Sequence, residues 1–411
     1  MLYGLYEAQH AALEPLRQAA EAARSWFGHP FSPLAYTPLS RRLVAATDLF
    51  LRLARRYERP AWGIDTVSVD GAAVPVSIEQ ELERPFCRLV RFRRDRGSEQ
   101  GVRVLVVAPL SGHHATLVRD TVRTLLAHHE VWVTDWVDAR MVPLAAGPFH
   151  LDDYVDCVRA FLRHLARAGR PTAVVSVCQP TVPVLAAVSL MAEDGEAATP
   201  RAMVMMGGPI DARKSPTAVN NLARRHSYAW FERTLITRVP AKYPGFMRRV
   251  YPGFLQYLGF VAMNPDRHLL AHWDYYHHLV RGDGESAQAH RRFYDEYNAV
   301  LDMPAEYYLD TIRIVFQEFA LPRGRWRVRG RPVRPQAIRQ TALLTVEGEL
   351  DDISGNGQTE AAHVLCVNVP ADRRAHLRAA GVGHYGIFSG RRWRETIYPR
   401  VREFLARHAA T

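Results

Sequence analysis

Three residues, met in chain order, have the types and spacing for acyl-transfer chemistry. They are Cys178 in "VSVCQP" (175–180), Asp351 in "TVEGELDDISG" (345–355) and His384 in "AAGVGHYGIFSG" (379–390). A thiolate attacks carbonyl carbon; an imidazole takes and returns its proton; a carboxylate fixes the imidazole's tautomer and direction. Each has an ordinary reading too. A cysteine closing an apolar strand is most often a buried packing thiol, a histidine in a loop is commonly just solvated, and acids beside glycine make turns. Their order, nucleophile then acid then histidine, with each residue beyond an expected strand end, is what an active constellation on a parallel sheet requires. Asp351 is preferred to Asp352 because it stands three residues after Gly348; Asp352 is then expected to point outward or cap the next turn.

The surroundings of Cys178 must lift its side chain above a sheet edge. "TAVVSV" (172–177) has the continuous apolar character of a strand buried on both faces, and "TVPVLAAVSLMAED" (181–194) is small and helix-prone. A tight turn between them would put the thiol at a helix N-terminus, beside unpaired N–H groups. Glycines usually stand two before and two after such a nucleophile; here the positions hold Ser176, which is small, and Pro180, which suits a first helical turn. For an oxyanion hole the N–H of Gln179 is the first candidate. The second is His113 in "APLSGHHATL" (108–117), where Gly112 permits close backbone approach. Neither HExxH spacing nor a carboxylate partner accompanies His113 and His114, so no metal and no cofactor is expected.

Stepping outward, strand, loop and helix alternate from residue 101. Strands are expected at 102–109, 131–136, 172–177 and 202–208, and helices at 116–129 and 152–169, the second opened by acids and closed by Gly169. The rhythm resumes at "TALLTVEGE" (341–349), followed by a helix near 358–366, a strand near 373–379 and a closing helix from Arg391 to His408. The fold class is α/β, a mostly parallel sheet with helices on both faces. The expected organisation is an N-terminal helical region (1–63), a first part of the core (64–210), a helical aromatic-rich cap (211–338) and a second part of the core (339–411). Within 64–100, "TVSVDGAAVPVSI" (66–78) reads as a hairpin turning at Asp70-Gly71, extended by "FCRLVRF" (86–92).

Composition narrows the partners. The 411-residue chain carries a net charge of +11, with Lys214 and Lys242 its only lysines. No nucleic-acid-binding motif accompanies the arginines, so nucleic acid is not an expected partner. "PRGRWRVRGRPVRPQAIRQ" (322–340) reads first as a solvated connector and second as a contact for an anionic surface. Cys87, Cys157 and Cys366 lie far from each other and from Cys178, without a CxxC pair, as reduced packing thiols in a cytoplasmic protein would. The N-terminus lacks a basic start followed by an unbroken apolar run, so no secretion signal is expected; its spacing is that of an amphipathic helix. Residues 171–192 approach membrane-spanning length, but Gln179, Pro180 and Pro183 interrupt them, and no transmembrane segment is expected.

"VCQP", "TDWVDAR" (134–140), "GPIDARKSPTAVN" (208–220), "MNPDRHLLAHWDYYHHLVRGD" (263–283), "FYDEYNAVLDMPAEYYL" (293–309), "TVEGELDDISGNGQTEAAH" (345–363) and "GVGHYGIFSG" (381–390) together resemble the intracellular poly(3-hydroxybutyrate) depolymerases. Asp138 in "TDWVDAR" stands where that family more often has Asn. The resemblance implies an α/β-hydrolase fold, a Cys-Asp-His triad falling on Cys178, Asp351 and His384, and activity on amorphous short-side-chain polyester, with a cytoplasmic location on polymer granules. Water would resolve the acyl-enzyme, or a thiol such as coenzyme A in its place. One rival is a polyester synthase, which has glycine on both sides of its cysteine. Two others are a non-catalytic granule-binding protein and a hydrolase of small soluble esters.

Overall fold

The structure is a computed structural model in which residues 2–33, 35–96, 101–167, 169–263 and 265–409 are described. Ala168 of the expected helix at 152–169 and Asn264 of the quoted 263–283 stretch lie outside the described residues.

Two helices, α1 (Leu2–Gly28) and α2 (Pro38–Ala54), open the chain. Thr37 caps α2 by accepting from Ser40 N–H, with Pro38 in its first turn. The buried Tyr3 hydroxyl anchors α1 by donating to Asp302 at 2.8 Å, while Leu5, Leu16 and Trp26 on the same helix stay exposed. Strands β1 (Thr66–Val69) and β2 (Ala72–Arg84) form the expected hairpin. Its corner is Asp70 at φ 49° and Gly71 at φ 83°, the left-handed pair of a tight hairpin turn.

The core follows as β3 (Cys87–Arg94), β4 (Arg103–Val107), α3 (Arg119–Leu126), β5 (Glu130–Trp136), α4 (Leu151–Ala166), β6 (Thr172–Val177), α5 (Thr181–Glu193) and β7 (Ala202–Met206). All seven residues of β5 and all six of β6 are buried, which is why those strands read as unbroken rather than alternating apolar runs. Helix α5 is buried from Thr181 through Met191 because it is apolar on every side. Helix α4 begins at a capping box in which His150 N–H donates to the Asp153 carboxylate at 2.7 Å.

Beyond β7 the chain forms α6 (Ala218–Arg225), α7 (Tyr228–Leu235), β8 (Thr237–Arg238), β9 (Arg249–Tyr251), α8 (Gly253–Met263), α9 (Pro265–Arg281), α10 (Gly284–Tyr297), β10 (Met303–Pro304) and α11 (Ala305–Asp310). A wide helical turn runs on from α11 over Thr311–Gln317. This insertion has a small apolar core of its own around Phe231, Leu309 and Ile312, and its Val239 and Val250 share another with Tyr3 of α1 and Ala139 after β5. The guanidinium of Arg248 ties it to the loop after β5 by donating to the carbonyls of Val142, Pro143 and Gly147.

Part of the arginine-rich stretch folds into a hairpin of β11 (Arg327–Val328) and β12 (Arg331–Pro332), and three of its seven arginines form ion pairs within the chain while remaining largely exposed. Arg329 pairs with Asp153 and Asp156 of α4, and Arg331 and Arg334 pair with Asp194 and Glu193 at the end of α5. Acids placed far away in sequence thus pair part of this cationic run.

The chain returns to the core as β13 (Ala342–Gly348), α12 (Ala362–Leu365), β14 (Arg374–Ala379), α13 (Gly390–Arg392) and α14 (Tyr398–Ala409). The helix expected at 358–366 is shorter because the buried Glu347 carboxylate accepts from the N–H groups of Gly357, Thr359 and Glu360, holding them in a loop. The closing helix widens over Trp393–Ile397, immediately before Pro399, whose ring cannot sit against a regular preceding turn.

The nine strands lie in the order β1-β2-β3-β5-β4-β6-β7-β13-β14. Pairing is antiparallel from β1 to β5 and parallel from β5 onward. After β4 the chain moves to one side for β5, then to the other for β6, so the crevice at the carboxyl ends of β4 and β6 is the switch point where such sheets place ligands. Val177, Met206 and Val346 are register neighbours, which brings the residues that follow β6, β7 and β13 to one edge.

Candidate active site

Cys178 is the first residue beyond β6. Its φ is 69°, a left-handed conformation that costs a non-glycine residue about 1–2 kcal/mol. Two backbone bonds hold the turn: Cys178 N–H donates to Met206 O at 2.7 Å, and Thr181 N–H donates to Cys178 O at 3.1 Å. The sulfur is thereby raised at the N-terminal end of α5. Ser176, in the position usually held by glycine, turns its hydroxyl back to Val204 O at 3.2 Å. The room comes from the next strand, where Gly207 and Gly208 follow β7. A Cβ on Gly208 would lie 1.8 Å from Thr181 Oγ1 and 2.5 Å from Cys178 O. Gly207, at φ 57°, faces the histidine side: a Cβ there would lie 2.4 Å from Ile387 Cδ1 and 3.3 Å from both Asp351 Oδ2 and His384 Cε1.

Asp351 stands in the loop after β13. Its Oδ1 accepts from Ile353 N–H at 2.9 Å and Ser354 N–H at 2.8 Å, and its Oδ2 accepts from His384 Nδ1 at 2.7 Å. The neighbouring Asp352 is exposed. The loop itself is pinned by Leu350 N–H donating to Val382 O at 2.9 Å. A Cβ on Gly348 would approach that same carbonyl to 2.5 Å.

His384 opens the short turn after β14 and is buried. With Nδ1 bound to Asp351, Nε2 is the ring nitrogen left for the Cys178 sulfur, which lies near enough to act on the imidazole electrostatically. Burial opposes protonation of this imidazole, but the Cys178 sulfur and the Asp351 carboxylate outweigh it and hold its pKa well above the ordinary histidine range.

Gln179 follows Cys178, and among the described residues its backbone N–H meets no protein acceptor. His113 lies on the same cavity wall as Cys178, with its ring turned into the insertion. Nε2 donates to Tyr297 O at 3.1 Å and the imidazole stacks on Phe260. Burial lowers His113 to about 4 and His114 to about 3, so both are neutral. The close approach that Gly112 allows is made by the insertion, since a Cβ there would lie 2.3 Å from Gln256 Oε1. Gly112 O also accepts from Leu301 N–H at 2.7 Å.

The cavity over Cys178 has a volume of about 530 Å³ and predominantly apolar walls. The insertion contributes Phe231, Tyr251, Phe260, Tyr307, Tyr308 and Phe316 to them. Aromatic content alone did not mark these six, because Phe246 and Trp273 of the same segment are exposed. Cys87, Cys157 and Cys366 are buried away from the cavity, and burial raises their thiols, the second to about 11 and the third to about 12.

This strand order, with a left-handed residue at the β6 turn, a carboxylate after β13 and a histidine after β14, defines an α/β-hydrolase. Residues 207–409 match the family model described as PHB de-polymerase C-terminus. Over that segment the chain is similar to the PHB depolymerases, and this similarity supports a carboxylic-ester hydrolase. Solved structures similar to the chain include a thermophilic esterase from Thermogutta terrifontis, 14% identical, covering 84% of this chain and 98% of that one with a TM-score of 0.42. A soluble variant of monoglyceride lipase from Saccharomyces cerevisiae is 10% identical, covering 84% and 98% with a TM-score of 0.46. No curated protein matches the chain.

Proposed function

We infer that the protein hydrolyses the ester bonds of poly(3-hydroxybutyrate) through a thioester on Cys178. The observation that carries this reading is the left-handed Cys178 lining one apolar cavity together with a buried His384 that is hydrogen-bonded to Asp351. In the first step the Cys178 thiolate attacks an ester carbonyl carbon, forming a C–S bond and a tetrahedral oxyanion. The N–H groups of Gln179 and His113 hold that oxyanion. His384 gives its Nε2 proton to the leaving alkoxide as the C–O bond breaks. Water then loses a proton to His384, attacks the thioester and releases 3-hydroxybutyrate or an oligomer, returning the thiolate. Asp351 keeps Nδ1 protonated throughout, so that Nε2 is the nitrogen that exchanges protons.

An insoluble apolar polymer suits the outer surface as well. Leu269, Leu270 and Trp273 of α9 and Leu258 of α8 are all more than half exposed, and side chains of this kind, gathered on one segment, mark contact with another apolar phase. Among the described residues no helix is long and apolar enough to cross a membrane.

The test is release of 3-hydroxybutyrate from amorphous granules by wild-type protein, Cys178→Ala and Cys178→Ser. Complete loss with Ala and a loss of at least ~10²-fold with Ser are expected, since the site is set for sulfur. Undiminished activity in Cys178→Ala would overturn the reading.

A further inference from the structure

Apolar walls surround Cys178, but beside it sit polar groups that nothing among the described residues satisfies. Gln179 is 7% exposed, and both ends of its side-chain amide, Oε1 and Nε2, lack a hydrogen-bond partner among the described residues. The Tyr307 hydroxyl, on a side chain 1% exposed, lacks one too. Both residues line the cavity that holds the nucleophile. They lie close enough for the phenol to feel the amide, without closing a hydrogen bond between them.

Gln256 on the same wall makes the contrast. Its Nε2 donates to Tyr251 O at 2.9 Å and Leu301 O at 3.1 Å, so that amide is anchored and structural. Gln179 is anchored at neither end. Each orphaned buried polar group costs about 1–3 kcal/mol, and native proteins tolerate few of them. A group left so beside the reacting atom is matched by a ligand.

We propose that the Gln179 amide and the Tyr307 hydroxyl recognise an oxygen on the β-carbon of the acyl group carried by Cys178, selecting 3-hydroxyacyl esters over plain alkanoyl esters. The inference rests on the proposed role of Cys178 and adds the specificity device. A hydroxyl on C3 is both donor and acceptor. It gives its proton to Gln179 Oε1 and accepts from Tyr307 O–H, so that two of the three unpartnered atoms gain a bond. The β-carbon is two bonds from the carbonyl carbon. Gln179 directly follows Cys178, so its backbone N–H and its side chain flank the same short acyl group. A plain butyryl group would bury these polar groups against methylene, which is the situation in which sites reject an analogue most strongly.

The experiment compares kcat/KM for the p-nitrophenyl esters of 3-hydroxybutyrate and butyrate, each divided by its rate of hydroxide hydrolysis. Wild-type protein is expected to favour the hydroxy ester by ~10–100-fold, and Tyr307→Phe to cut that ratio by ~10-fold or more. A wild-type ratio near one overturns the proposal with no variant needed. So does an unchanged ratio in Tyr307→Phe, including the case where both rates fall together. A Cys178→Ala protein that still hydrolyses both esters would instead overturn the triad, whatever the ratio.

Discussion

Gly207 is where the nucleophile turn, the acid and the histidine meet, and Gly207→Ala perturbs all three with one methyl group. The new Cβ would stand 2.4 Å from Ile387 Cδ1, against an optimum of about 3.5–4.0 Å between carbon atoms, so one side must give by more than ~1 Å. Gly207 is held by its N–H donating to Val346 O at 2.9 Å in the sheet. The side that gives is therefore the turn His384–Ile387, which carries the imidazole. An alanine at φ 57° adds about 1–2 kcal/mol of backbone strain, and overpacking adds about 1–3 kcal/mol. Displacement of a catalytic group by ~1 Å costs ~10²-fold in rate.

The expected result is a ~10²-fold fall in kcat for ester hydrolysis in protein that is folded but melts earlier. The decisive arm is relief. Ile387→Val deletes the clashing Cδ1 alone and by itself costs about 0.5–1.5 kcal/mol. Combined with Gly207→Ala it should restore most of the lost rate and give a non-additive stability, with a coupling of about 1–2 kcal/mol. Hydrolysis rates and melts of the two single variants and the double variant measure this. Wild-type activity in Gly207→Ala, or strict additivity in the double variant, would refute the steric account of the site.

Two further outcomes follow from the same geometry. In Asp351→Asn the amide oxygen can keep the bonds from Ile353 and Ser354 N–H, but its NH2 then faces His384 Nδ1 and forces the imidazole proton onto Nε2. Hydrolysis is expected to fall ~10³–10⁴-fold, together with slower iodoacetamide labelling of Cys178 at pH 7; retention of a tenth of the activity would refute the tautomer argument. Asp138 is raised to about 7 by burial and by the nearby Asp302 carboxylate, so the folded state holds a proton the unfolded state releases, and stability declines as pH rises from ~4 to ~7. Asp138→Asn should raise stability at pH 8 by about 1–3 kcal/mol while changing little at pH 4; parallel pH dependence of the two melting curves would show that Asp138 is not the titrating group.

Much of the core was legible because its strands are buried on both faces. An unbroken run such as "TAVVSV" has few readings once a turn and a helix follow it, and β4, β5, β6, β7 and β13 all lie within or beside the expected spans. The hairpin at Asp70-Gly71 was legible for a local reason, the need for two left-handed residues. What long-range partners decide was not legible: the arginines of 322–340 could not reveal acids on α4 and α5, and no local propensity shows that Glu347 gathers the N–H groups of Gly357, Thr359 and Glu360 into a loop. At the site, the Asp351–His384 bond joins residues 33 apart, each flagged by its place after a strand. Tyr307 carried no such flag, being one aromatic among many in the insertion. Its only available signal was that "AEYYLD" places it on a helix entering the cavity beside Gln179.

The departure from glycine at positions 176 and 180 shows what the turn requires. A left-handed residue lifted between strand and helix needs empty volume beside it, and the flanking glycines of other such turns are one way to provide it. Here Ser176 and Pro180 occupy those positions, and the volume is supplied from the adjacent strand by Gly207 and Gly208, where added methyl groups would strike Ile387, Thr181 and the carbonyl of Cys178. A methyl group on Gly207 would also press on Asp351 and His384, so the nucleophile turn and the acid-base pair depend on the same pair of glycines. The sequence cue for this site is therefore two motifs read together, "VCQP" after one strand and "GGP" after its neighbour, aligned by the register that sets Val177 beside Met206.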